Sequence, residues 1–136
     1  FYGEDQLFAY WVGMLAGAIS HCYGAHGVWN VGDGAFLNHW GSQTFSEALS
    51  LDTPRLLGLS HGIFHPHISL PAEVKIVEEN GSLRSIQRDY ADGTITFIPE
   101  IDQQKELPVG QYWLPMEGRF TDHPPLNGQI VIFNRF

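Results

Sequence analysis

His21, Tyr23, His26 and Trp29 place two imidazoles, a phenol and an indole within one short stretch, Gly17 to Trp29, which also holds Gly17, Gly24 and Gly27. These side chains suit recognition of a sugar: an indole face stacks on C–H bonds, while imidazole and phenol groups exchange hydrogen bonds with hydroxyls. On composition alone the favoured reading of the same residues is structural, with His21 and Tyr23 buried and satisfied by backbone and Trp29 as core. Asp33, in a glycine-flanked loop, either accepts from a sugar hydroxyl or closes an Asx-turn, and the turn is favoured. Trp40 lies in the same loop region and joins the substrate-binding set.

Other reactive groups read as structural. The spacing of His21 and His26 suits no helical metal pair, and no nearby Asp or Glu completes a ligand set. His61, His65 and His67 read as a solvated turn at a helix end. No metal ligand, cofactor or catalytic residue is assigned. Cys22 is the single cysteine, which excludes an intramolecular disulfide and a cysteine-based zinc site. It is expected to be a small buried hydrophobe on the face opposite His21 and Tyr23. Glu4 and Asp5 are expected to favour a helix start, and Glu47 to orient a loop.

The elements that must position these groups follow from pattern. Leu7–Ala16 reads as a helix that is apolar nearly all round, stopped by Gly17. Ala18–Tyr23 reads as a short buried strand, which would put His21 and Tyr23 on one face. Residues 24–44 are loop-like, with one or two helical turns in Ser42–Leu49. Asp52-Thr53-Pro54 opens a helix that runs to Phe64 and ends at His65-Pro66. Beyond Pro66 the pattern changes. Strands are expected at Glu73–Glu79, Leu83–Tyr90, Thr94–Ile98, Gln111–Leu114 and Gln129–Phe133, with hairpin signals at Asn80-Gly81 and Asp92-Gly93.

The 136 residues are 43% hydrophobic, enough to bury a core. They carry 15 acidic against 7 basic residues, a formal charge of -8, which argues against nucleic-acid and anionic-membrane partners. No apolar run reaches the roughly 18–20 residues that span a bilayer. The start at Phe1-Tyr2-Gly3, without initiator Met or signal peptide, is expected to mark a fragment.

Tyr10-Trp11, Gly17-Ala18, Tyr23-Gly24, Gly27, Trp29, Trp40, Glu47-Ala48-Leu49 and Leu51-Asp52 occur in an order that resembles the C-terminal end of the apiosidase-like glycoside hydrolase domain. The likeness covers about residues 5–64. Ser20, Cys22 and His26 stand where that family usually has Gly, Thr and Asn, and the Arg usual before the Tyr-Trp helix is missing. The Trp113–Gly118 run weakly resembles the Trp-x-x-Pro-x-x-Gly pattern of the small β-domain that often follows.

The resemblance implies an α/β fold, the C-terminal fragment of a (β/α)8 barrel over residues 1–65, followed by an antiparallel β-sandwich-like accessory domain over 66–136. Leu7–Leu15 would then be a barrel helix short of its neighbours, and Ala18–Tyr23 the eighth strand. His21, Tyr23, His26 and Trp29 would sit on the pocket rim. The implied activity is cleavage of a glycosidic bond in a plant or microbial polysaccharide, by two carboxylates supplied upstream of Phe1. An extracellular or periplasmic setting goes with it. The alternative is a non-catalytic carbohydrate-binding or structural module. Oligomeric state is left open.

Overall fold

The computed structural model describes residues 3–25, 28, 33, 35, 38, 39 and 41–136. Helix α1 (Gly3–Leu15) opens with Glu4 and Asp5 in its first turn, where carboxylates meet the positive end of the helix dipole. It closes at Gly17, whose φ of 114° needs a residue without Cβ. Ala18 N–H donates to the Gly13 carbonyl at 3.0 Å and Gly17 N–H to that of Met14 at 3.2 Å, a Schellman closure.

The short helix α2 (Phe45–Leu49) is fixed by a capping box. Glu47 N–H donates to Thr44 Oγ1 at 3.2 Å, and Thr44 N–H donates to the Glu47 carboxylate at 2.8 Å. Those bonds to Thr44 hold the Glu47 carboxyl below its usual pKa. Helix α3 (Thr53–Phe64) starts at Asp52 with Pro54 in its first turn. The Asp52 side chain makes no cap hydrogen bond and instead grips Arg55 through two bonds of 2.6 and 2.8 Å. Its backbone is already helical, so the carboxylate is not presented to the first free N–H groups. A 3-10 turn over His65–His67 follows.

Six strands form one sheet: β1 (Ala72–Glu79), β2 (Ser82–Tyr90), β3 (Thr94–Ile98), β4 (Gln111–Leu114), β5 (Arg119–Thr121) and β6 (Ile130–Asn134). Their order is β1-β2-β3-β6-β4-β5, and each neighbouring pair is antiparallel. Asn80 and Gly81, at φ of 52° and 76°, turn β1 into β2 with both central residues left-handed, the geometry that matches strand twist.

Alternation divides the sheet into two faces. Ile86, Ile95, Phe97, Trp113, Val131 and Phe133 point to one side, where they bury against Leu7, Trp11, Met14, Leu56, Leu57 and Phe64 of the helices. Trp11 is fully buried, edge-on to Phe64 at 5.7 Å and to Phe133 at 6.4 Å. The buried Trp113 Nε1–H donates to Ser60 Oγ at 3.3 Å and ties β4 to α3. Gly118, in the turn between β4 and β5, lies so close to α3 that a Cβ there would meet Leu59 Cδ1 at 2.7 Å. On the opposite side Ile130, Ile132 and Leu114 are covered by Ile101 and Leu107 of the 99–110 loop.

The barrel-fragment expectation is corrected by this architecture. Among the described residues there is no parallel strand pair, and α1 and α3 lie on one face of an antiparallel sheet. Ala18–Tyr23 is not a strand. Its one long aliphatic side chain, Ile19, is 80% exposed, so the segment has too little to bury for a place in a sheet. Cys22 is exposed, not buried. Helix α1 does not lack neighbours, because α3 and the sheet bury its apolar side. Strand β5 has only three residues and no alternation long enough to signal it.

Removing the indole at the helix–sheet junction should be costly. Trp11→Ala is expected to lower unfolding stability by about 3–5 kcal/mol in chemical denaturation. Ser60→Ala, which strands the Trp113 N–H, should cost about 1–3 kcal/mol. Losses below about 1 kcal/mol for Trp11→Ala would contradict this packing.

Candidate functional site

The polar edge of the helix layer carries the cleft in which chemistry-bearing groups converge. It has a volume of about 400 Å³ and lies between α1, α3 and the segment that follows Gly17. Tyr10, His21, Tyr23 and His61 supply its aromatic and imidazole wall, and Ser20 its hydroxyl. Ile19, Leu57 and Gly58 complete it with apolar surface and backbone.

Helix geometry explains why Tyr10 and His61 meet. Tyr10 lies one turn beyond Leu7 and one before Met14, all three on the buried side of α1. His61 follows Leu57 by four residues on α3, at the margin of that helix's apolar stripe. The Tyr10 hydroxyl and His61 Nδ1 are 3.1 Å apart. Burial pushes the Tyr10 phenol well above its ordinary pKa. The neutral phenol can donate to Nδ1 or accept from it, according to the imidazole tautomer; with the phenol as donor, the imidazole proton lies on Nε2.

Tyr10 is 2% exposed, so it orients the wall from behind, whereas His61 and Tyr23 are half-buried. The Tyr10 ring also meets His21 edge-on, with centroids 5.4 Å apart. His21 Nε2 is buried and has no hydrogen-bond partner among the described residues. Burial raises the Tyr23 phenol pKa as well. At neutral pH the wall thus presents neutral phenols, hydroxyls and imidazole N–H groups beside apolar carbon.

Such a wall can exchange hydrogen bonds with hydroxyls and cover a C–H face. The lining among the described residues contains no Asp or Glu, so these residues by themselves do not supply the carboxylates of glycosidic acid–base cleavage.

Of the residues singled out from sequence, the structure brings His21 and Tyr23 into this cleft. Asp33 is exposed, and its Oδ1 accepts from Ala35 N–H at 2.9 Å, an Asx-type turn. His26, Trp29 and Trp40 lie outside the described residues. Two further residues join His21 and Tyr23: Tyr10, named in the sequence only as part of the family-like motif, and His61, whose reading as a solvated turn is corrected by its half-buried place on α3. Their available signal was a polar tip at the edge of an apolar helical stripe, a pattern shared with many purely structural residues.

The histidines of 61–67 separate into different environments. His61 and His65 rings are 5.5 Å apart, with His65 exposed. His67 packs among Phe136, Tyr90 and Phe133 at 4.5, 5.7 and 6.2 Å, and burial lowers its imidazole pKa. Among the described residues no group of three or more His, Cys, Asp or Glu is placed to hold a metal ion.

The Tyr10 phenol has a pH signature. Above about pH 10 the unfolded chain releases the phenol proton while the folded chain retains it. The folded state then binds more protons, so stability falls as pH rises, by up to about 1.4 kcal/mol per pH unit for this group. Tyr10→Phe should flatten the alkaline stability slope measured by denaturation between pH 9 and 11, on the scale set by that ordinary phenol pKa of about 10. An unchanged slope would place the hydroxyl in water.

Comparison with known proteins finds no matching family model, no similar curated protein and no similar solved structure.

Proposed function

We propose that this chain belongs to a carbohydrate-active protein, a glycoside hydrolase of plant or microbial polysaccharides. In this reading it supplies a sugar-contacting wall rather than the catalytic carboxylates. The observation that carries the reading is the cleft at Tyr10, His21, Tyr23 and His61, where phenol and imidazole groups are held beside apolar surface. The ordered resemblance to the apiosidase-like family over about residues 5–64 supports it. The reading takes from that family its activity class and not its barrel, which the antiparallel sheet rules out for the described residues.

In this reading His61 Nε2–H donates to a sugar hydroxyl, and Tyr10 fixes the imidazole that does so. Tyr23 and Ser20 add hydroxyl contacts, while Leu57 and the His21 ring cover a C–H face. His26, Trp29 and Trp40 are proposed to extend the same surface. The acid and the nucleophile or base are carboxylates outside the lining of this cleft.

A second reading, a non-catalytic carbohydrate-binding module, is favoured by the lack of Asp and Glu among the described residues of the cleft lining. Reducing-sugar release from polysaccharide by the protein decides between the two. Hydrolysis supports the first reading, and sugar binding without hydrolysis the second.

Both readings share one expected outcome. His61→Ala should weaken binding of neutral oligosaccharides about tenfold in calorimetric titration, the loss of one to two hydrogen bonds. Tyr10→Phe should weaken it by less, since it removes only the partner that orients His61. Binding unaffected by His61→Ala would remove the cleft from the account.

A further inference from the structure

On the side of the sheet away from the helices, the 99–110 loop roofs a second cavity of about 260 Å³. Its floor is a cross-strand polar row, the Ser85 hydroxyl, the Gln87 amide and the Thr96 hydroxyl. Gln87 and Thr96 stand directly opposite on β2 and β3. Thr96 Oγ1–H donates to Gln87 Oε1 at 2.8 Å, and Gln87 Nε2–H donates to Asp89, which pairs in turn with Lys75. The floor is therefore fixed before any ligand arrives.

The roof is fixed too. Ile101 N–H donates to the Gly128 carbonyl at 3.0 Å, Lys105 Nζ reaches Glu79 at 2.9 Å, and the Tyr112 hydroxyl donates to the Pro108 carbonyl at 3.0 Å. Ile101 and Leu107 are packed on Ile130 and Ile132.

The lining specifies the chemistry of an occupant. Arg84 and Lys105 are both paired with Glu79, at 3.3 and 2.9 Å, and Lys105 also lies 3.9 Å from Asp102, so neither cation is left free to select an anion. Both cations and carboxylates are nevertheless present, so hydroxyl groups can find donors and acceptors on every side. Val77, Ile98 and Leu107 supply apolar surface for C–H groups. The volume is below the roughly 300–1,000 Å³ of sites for drug-sized ligands and suits a single ring.

We propose that this cavity is a second binding site, for one neutral sugar ring or cyclic polyol, held between the Ser85–Gln87–Thr96 row and the 99–110 loop. It does not depend on the cleft at Tyr10 and His61. A chain with both would hold carbohydrate on both sides of the sheet.

Amide-resolved NMR titration of the full chain tests this with D-glucose, D-xylose, L-rhamnose and myo-inositol as probes. At least one is expected to give saturable shifts at Ser85, Gln87 and Thr96. Gln87→Ala and Ser85→Val should each weaken that binding about tenfold, the effect of a lost hydrogen-bonding group. Ser85→Val leaves the Gln87–Thr96–Asp89 chain intact and carries the test if Gln87→Ala unfolds. His61→Ala should leave these shifts unchanged, which separates this site from the helical cleft. The absence of saturable shifts with all four probes would overturn the proposal, as would equal affinity in Ser85→Val. Tighter binding of glucuronate or glucosamine than of glucose would overturn the assignment to a neutral ligand.

Discussion

The structure depends on the burial of Trp11 between a second helix and a sheet. One side chain is edge-on to Phe64 of α3 and to Phe133 of β6, so the indole fixes both the spacing of the helices and their seat on the strands. Its Nε1 has no hydrogen-bond partner among the described residues, so its contribution is packing rather than hydrogen bonding. Tyr10 follows from that placement. With Trp11 turned into the core, its neighbour is carried to the core's edge, where its hydroxyl reaches His61. The Tyr10–His61 side of the cleft is thus a consequence of how α1 is seated on the hydrophobic layer beneath.

The two faces of the sheet are put to different uses. The helix-side face is almost wholly apolar and is spent on stability. The other face is buried and apolar beneath Ile101 and Leu107. Toward β2 and β1 it becomes a polar ladder of Gln87, Thr96, Asp89 and Lys75, joined by hydrogen bonds and an ion pair. An antiparallel sheet allows this division because its strands alternate between faces. The cavity under the 99–110 loop lies where the apolar half gives way to the polar half.

Much of the sheet was legible in the sequence, because strand alternation and turn chemistry are local. Thr94–Ile98 and Gln111–Leu114 have the expected limits, and Asn80-Gly81 makes the expected turn. Gly17 closes α1 for the reason its position suggests. What was not legible was non-local. A helix apolar all round is satisfied equally by barrel neighbours or by one helix and a sheet, and the ordered motifs of residues 5–64 could not distinguish these. Ala18–Tyr23 has strand-like spacing, but Ile19 and Cys22 are exposed and no sheet edge receives it. His21 and Tyr23, singled out for their chemistry, line the cleft. Tyr10 and His61 were hidden in helical stripes, and only the packing of α1 on α3 joins them.

In the function proposed above, α1 and α3, seated on the sheet, hold Tyr10 and His61 as part of a wall for a neutral sugar. A crystal structure of the chain grown with a neutral oligosaccharide tests it most directly. The account predicts a sugar ring in the cleft, with a hydroxyl within hydrogen-bonding distance of His61 Nε2 and a C–H face against Leu57 and the His21 ring. A sugar bound elsewhere with the cleft empty would contradict it, and so would a Tyr10 hydroxyl turned away from His61.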